Sequence, residues 1–455
     1  MSLTYQDRIK EKRDLSKKII DIAKEFVPFV FVMINSGKDA LTRFGENEIT
    51  QNVSQEITGA EILLVKDKKV SKVSLDDLSK ENIKMVIEKA ATLLEFQEDQ
   101  EHIPDFPIDE IIENENLNWD KETASVSPEK RSEVVKGFVK KCKENKLLAS
   151  GTVSDVVNSI TLASSKGLFA YHEYTRGEFT ATAMDDDGYS GWGSISEKSY
   201  DINKINELQE NIVKKAILSK DPVEIEPKEY TVILEPAAVS DLFLFLSYVG
   251  LSTQGYYLGT SPFSNRLGEK ILSEKLTITD DFSHEQNPGF PFDFEGVRKK
   301  SLEIVNKGIL NRLPFDLKWA EKKGKSSTGH GFPFPNTMGP LCGNLVIAPG
   351  ESSMEEIISS SKDALLITHF HYTNIINPND ITITGMTRDG VYKIKDGKIT
   401  NSVKNMRFTE SVIKALNNIE AISSDQVFQS AFFGGGFVLP ALKINNFRFS
   451  SKTDY

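Results

Sequence analysis

The chain has 455 residues, 39% hydrophobic and 27% charged, with a formal net charge of −11, a globular composition too long for one ordinary core, so two or three domains are expected. No apolar run reaches the roughly 18 residues that span a bilayer, the N-terminus lacks the apolar core of a signal peptide, and the acidic balance works against phosphate neutralisation. A cytoplasmic location is therefore expected, with no membrane and no direct nucleic-acid contact, and the distant pair Cys142 and Cys342 does not make a disulfide framework.

In chain order, apolar residues at Ile9, Leu15, Ile19, Ile22, Ala23 and Phe26 predict an amphipathic helix that Pro28 ends. Residues 29–34 read as a buried strand, and the charged turn 66–69 between β-branched segments reads as a hairpin. Ile83, Val86, Ile87, Ala90, Leu93 and Leu94 share one face of a second helix capped at Ser79. The acidic, Pro-bearing stretch 97–109 reads as a linker. Ser127-Pro128 then opens a helix, with Ser at the cap and Pro in the first turn. Four short strands follow, near 147–153, 158–163, 168–175 and 178–184, patterned as an antiparallel meander. The Gly-Trp-Gly at 191–193 reads as part of a turn-rich patch, and residues 202–218 as a helix stopped by Asp221-Pro222.

From Tyr230 the texture changes: a buried strand, a very apolar helix over 235–250, then β-rich runs among Gly- and Pro-bearing loops, with 385–390 (GMTRDG) and 434–436 as tight turns. The expected fold is α+β: two helix-strands-helix units, residues 1–108 and 109–222, followed by a mostly antiparallel, β-rich C-terminal domain over 223–455. Its most irregular stretch is 326–344, SSTGHGFPFPNTMGPLCGN, where Gly and Pro forbid regular pairing while Phe332, Phe334, Met338 and Leu341 argue against a solvated linker. A loop this long within a compact domain points to binding.

The six histidines allow every metal pattern to be checked. His172-Glu173 and His284-Glu285 have no second histidine at helical spacing, so neither forms a zinc-protease helix. His369 and His371 would stand side by side on a strand, and with His330 they could make a metal site for hydrolysis. The alternatives are that they are hydrogen-bonded polar residues lining a substrate groove, or a surface pair. Arg388 could hold a substrate carboxylate, or it could serve a structural turn with Asp389. Walker and Gly-x-Ser-x-Gly patterns are absent from the sequence.

Arg43 with Asn47 and Ile49, Asp77-Leu78-Ser79, residues 230–234 followed by Pro236, Gly259-Thr260-Ser261, Leu267-Gly268-Glu269, Phe292-Asp293, Ser327-Thr328-Gly329, Asn336-Thr337, Asn377-Pro378 and Gly397-Lys398-Ile399 occur in an order that resembles the TldD/PmbA proteins, modulators of DNA gyrase and peptidase relatives. The resemblance implies one of two kinds of member. TldD-like members carry a zinc motif, HExxxH, on the helix after the strand and Pro, and a later cysteine ligand. PmbA-like (TldE) members lack the motif and pair with the first kind. Aligned between Leu242 and Gly259, the motif falls on Leu244, Phe245 and Val249, none a zinc ligand, and no cysteine follows Cys342. The chain therefore resembles the PmbA-like kind, with its apolar helix expected to be packed. Implied are a non-catalytic subunit of a zinc metalloprotease heterodimer acting on unfolded peptides, no catalytic or metal-ligating residue in this chain, and zinc in a TldD-like partner. The expected substrate-binding residues are Gly329 and Asn336, which match family positions, His330, which is this chain's own addition, and His369, His371 and Arg388, read from the residues themselves. Self-association into a homodimeric peptide-binding scaffold is the other partner expectation.

Overall fold

The computed structural model describes residues 4–113, 118–287, 289–430 and 435–453. The N-terminal half is one continuous antiparallel-rich sheet under a layer of helices: α1 (Tyr5–Ala23), β1 (Phe29–Gly45), β2 (Glu48–Lys66), β3 (Lys69–Leu75), α2 (Lys80–Leu93), β4 (Ile111–Glu113), α3 (Pro128–Glu144), β5 (Leu148–Ser164), β6 (Phe169–Met184), β7 (Ser190–Glu197) and α4 (Ile202–Leu218). Its order is β3-β2-β1-β5-β6-β4, with β7 also on β6. Ser79 and Ser127 accept the backbone N–H groups of Asn82 and Lys130, as N-caps should. Pairing of β1 with β5 carries the sheet across residue 108, so the first two expected units share one sheet. Period-two patterning places Val30, Val32, Ile34, Thr42 and Phe44 of β1 on the helical face, while Phe31 and Met33 turn toward the C-terminal half.

Two expectations are corrected here. The four short strands of the expected meander are two long ones, β5 and β6, because the mid-strand residues that read as turns stay in the ladder, Ser154, Asn158 and Arg176 half-buried and Asp155 buried against Arg131. The Gly-Trp-Gly patch is the strand β7, not a turn. Its Gly191 answers to close packing: a Cβ there would lie 2.3 Å from the Ile212 carbonyl oxygen of α4.

The C-terminal half contains β8 (Glu229–Leu234), α5 (Pro236–Phe245), α6 (Thr253–Leu258), β9 (Ile278–Asp280), β10 (Leu302–Asn306), β11 (Ile309–Leu310), α7 (Leu317–Lys322), β12 (Leu345–Ile347), α8 (Met354–Ser359), β13 (Asp363–Asn377), β14 (Thr382–Lys395), β15 (Lys398–Ser402), β16 (Met406–Ser411), α9 (Val412–Asn417), β17 (Ile419–Ser430) and β18 (Gly436–Lys452). Pairing runs β18-β16-β14-β13-β8 and returns from β8 to β18, closing a ring of five strands. Phe370, Phe408, Phe447 and Phe449 fill its apolar core. The α+β class and the mostly antiparallel C-terminal sheet agree with the sequence reading.

The GMTRDG stretch lies inside β14 rather than in a turn, because Asp389 (φ 52°) and Gly390 (φ 135°) kink the strand where its register with β13 shifts. Of the turn expected at 434–436, Gly434 lies outside the described residues, and Gly435 adopts φ 72°. Residues 326–344 carry no helix or strand. Among the described residues, no helix is long and apolar enough to cross a membrane.

Candidate functional site

The two halves meet along one face of β6. From Tyr174 to Thr182 its odd residues are buried against the helices and its even residues are half-buried toward the C-terminal half. Those even residues line three cavities in succession. Tyr174 borders a space of about 270 Å³ with Asp39, Ile57 and Asn158. Tyr174 and Arg176 border one of about 350 Å³ against the loops around Phe290 and His330. Glu178 and Thr180 border a third, about 330 Å³, with Trp192, Asp241 and His369. Tyr174 and Thr180 lie about 20 Å apart at the rise of a strand, so the three cavities are strung along that length of β6 as a candidate trench.

The third cavity is polar and is lined by five elements, β6, β7, α5, β13 and β17. His369 on β13 bonds through Nε2 to an Asp389 carboxylate oxygen at 3.0 Å, and its ring stacks on Trp192 of β7 with centroids 4.2 Å apart. The other Asp389 oxygen accepts the Ser190 hydroxyl at 2.5 Å. Burial alone would raise the Asp389 carboxyl, but the bonds from His369 and Ser190, with the His369 and Arg388 charges, outweigh it and hold the group below its ordinary range. Asp241 on α5 behaves in the opposite way. Its burial dominates over one bond from Thr373 Oγ1 (2.9 Å) and the nearby His369, so its carboxyl is pushed up to about 6. One acid at this seam is firmly ionised and the other titrates close to neutrality.

The irregular loop is built around a different histidine. His330 has a fully buried side chain, with Nε2 3.2 Å from Asp280 Oδ1 and Nδ1 3.0 Å from the Thr328 carbonyl oxygen. Lys299 Nζ donates to Asn344 Oδ1 at 2.5 Å and lies 3.7 Å from Asp280. Burial would raise Asp280, yet Lys299, His330 and the Asn344 amide hold it far below the usual carboxylate range. Beside it Asp293 accepts the amides of Glu295, Val297 and Gly331, while Glu295 accepts that of Leu317. Burial and the neighbouring Asp293 raise Glu295, so the proton of this pair resides on the residue with fewer amide donors.

Of the residues singled out in the sequence, Gly329 and His330 line the middle cavity and His369 lines the third. Gly329 has φ 75°, and a Cβ there would sit 2.5 Å from the Arg298 carbonyl oxygen, so glycine is required for the loop's close approach. Asn336 closes its own turn instead, accepting the Met338 amide at 2.8 Å and donating to the Gly339 carbonyl. Arg388 donates to His371 Nε2 at 2.7 Å and lies 3.6 Å from Asp389. Partial burial and that guanidinium hold the His371 imidazole below its ordinary value.

The alternative metal site of His330, His369 and His371 is corrected. His330 is sealed against Asp280, and the Arg388–Asp389 pair stands between the other two imidazoles. Among the described residues, no three His, Cys, Asp or Glu side chains converge to hold a metal ion. Sequence reasoning missed Asp241, Arg176 and Trp192, since no local pattern separates a half-buried strand or helix residue at a seam from one in solvent.

On α5 and the turn after it, Leu242, Phe243 and Leu246 are fully buried, while Leu244, Phe245 and Val249 are half-buried against the same core. The helix ends in a π turn, Leu251 N–H bonding the Leu246 carbonyl at 2.9 Å, a feature frequent at functional sites. The family model described as the PmbA/TldA metallopeptidase central domain matches residues 101–220, and that of the PmbA/TldA metallopeptidase C-terminal domain matches 227–451, together well over half of the chain. The chain belongs to the PmbA/TldD family.

Similar curated proteins include a metalloprotease of Methanothermobacter thermautotrophicus, 27% identical over 37% of each chain. Another is a metalloprotease TldD homolog of Buchnera aphidicola, 25% identical over 61% of this chain and 60% of that one. The aligned part thus spans less than two thirds of both relatives. TldE from Thermococcus kodakarensis has the same fold, with a TM-score of 0.86 and 20% identity over 96% of this chain and 100% of that one. Zinc at the HExxxH positions does not fit this chain: Leu244, Phe245 and Val249 have no donor atom.

Proposed function

We propose that the chain is the TldE-like, non-catalytic subunit of a cytoplasmic heterodimeric metalloprotease. It holds an extended peptide in the trench along β6, while a TldD-like partner supplies zinc and cuts. The observation that carries this reading is the combination of three cavities strung over about 20 Å of β6, the third polar and bordered by His369 and Asp241, with three apolar side chains at the metal positions of the helix beside them. An extended peptide presents side chains to alternate pockets along such a trench. Asp241 and Glu178 at its third cavity favour a basic side chain there, and His369 is a positioning group held by Asp389. Gly329, His330 and Arg388 shape the walls and their supports rather than touching reacting atoms.

Reconstitution tests the proposal. The chain is mixed with the TldD-like protein of its own source, and casein hydrolysis is measured for each alone and for the pair. Activity confined to the pair, with one chain of each kind in the complex by light scattering, is expected. A homodimer that neither binds nor stimulates the TldD-like protein would overturn it.

A further inference from the structure

We propose that the middle cavity is a binding site for an aromatic ring bearing an adjacent carboxylate, as in the C-terminal Phe, Tyr or Trp of a peptide or in a free aromatic acid. Its volume, about 350 Å³, lies at the lower end of the range for specific small-ligand pockets. One wall is aromatic. Phe290, Phe294 and Phe332 are half-buried, with Phe290 meeting Tyr174 at 5.6 Å and Phe294 at 6.3 Å between centroids. A ring inserted there meets further rings in the edge-on and tilted geometries that aromatic pairs prefer.

The wall formed by β6 carries a cation, Arg176, with one unsatisfied donor. The Nε of Arg176 is buried and has no hydrogen-bond partner among the described residues. Its nearest carboxylate, Glu178, is 3.7 Å from Nη1, beyond hydrogen-bonding range, and its guanidinium otherwise lies over the Phe428 ring at 5.5 Å. A buried guanidinium donor without an acceptor is costly, and a carboxylate satisfies the fork in bidentate geometry. Lys299, a second cation lining the cavity, already serves Asn344 and Asp280 and adds field rather than a free donor. Asp293, also lining the cavity, accepts three amides, yet burial outweighs them and pushes its carboxyl up to about 6; in its ionised form it repels a dianion such as phosphate more than a monoanion. The cavity therefore selects a carboxylate beside a ring.

This inference deepens the peptide-trench reading and rests on it for the source of the ligand. Titration calorimetry on the full chain, using a dodecapeptide ending in Phe, its C-terminal amide, and N-acetylphenylalanine, separates the two. The free acid peptide is expected to bind about 10- to 100-fold more tightly than the amide, the range of a charge-assisted bond. Arg176→Gln should erase that ratio, and Arg176→Lys should keep part of it. Where Arg176→Gln fails to fold, Phe332→Ala should weaken the Phe-ended peptide without affecting an Ala-ended one. Equal binding of acid and amide overturns the carboxylate site and leaves the trench standing. Binding of N-acetylphenylalanine alone, sensitive to Arg176, supports the pocket for a free acid and overturns the trench. Binding of none of the three overturns both.

Discussion

His330 and His369 are the same residue type, each beside a carboxylate, and both were expected in one substrate groove. The structure gives them different work. His330 is sealed, its ring held between Asp280 and Thr328 with Lys299 closing the network, so it anchors the loop that walls the middle cavity. His369 sits at a seam between two sheets, stacked on Trp192 and tied to Asp389, with its flank on a cavity. Burial and the origin of the partners decide which histidine supports a site and which one faces it. The histidine census of a sequence contains neither.

The comparison breaks most readily at Asp280. Replacing Asp280 by Ala strands a buried His330 and removes the counter-charge of the half-buried Lys299, and breaking such a network costs roughly 3–5 kcal/mol; a denaturant midpoint should report it. A loss below 1 kcal/mol would mean that the His330 nest is no anchor. His330→Ala removes a buried ring and leaves Asp280 underserved, for an expected loss of about 2–4 kcal/mol by the same measurement.

Asp241 sharpens the other side. Its folded carboxyl titrates near 6, above the roughly 3.9 of an unfolded Asp, so the folded state binds more protons between those values. Stability therefore falls as pH rises through that window and is flat above it. Asp241→Asn should remove this slope and gain on the order of 1 kcal/mol at pH 7. Chemical denaturation at pH 4.5 and pH 7 checks it, and an unchanged slope would contradict the assignment. Smallest in stability, His369→Ala should cost about 1 kcal/mol or less, the scale of one stacked, hydrogen-bonded ring at a partly wet site. It should nevertheless lower casein hydrolysis by the reconstituted pair about tenfold or more, equivalent to about 1.4 kcal/mol. A stability loss equal to that of His330→Ala would erase the distinction between the two histidines.

The helices were legible because their signals are local: a 3.6-residue apolar period with Ser79 and Ser127 at the caps. Long strands were not, since β5 and β6 carry polar residues such as Asp155, Asn158, Arg176 and Glu178 in mid-strand and so resemble strands broken by turns. Gly191 reads as a turn in sequence and is a helix contact in space. The candidate site follows the same division. The His-x-His pattern pointed to His369, but Asp241 meets Thr373 across 132 residues of chain, and Asp389 meets Ser190 across 199. Arg176 became visible only when its buried nitrogen proved to lack an acceptor. The family resemblance supplied the apolar residues at the metal positions, and the structure then showed what stands beside them.

The central claim is that this chain holds peptide without metal chemistry of its own. Its most direct test is zinc content by mass spectrometry after incubation of the purified chain with zinc and dialysis, with peptide cleavage followed in the same sample. The account predicts well under one zinc per chain and no cleavage, with peptide still bound. One tightly held zinc per chain, together with cleavage that His369→Ala abolishes, would contradict it.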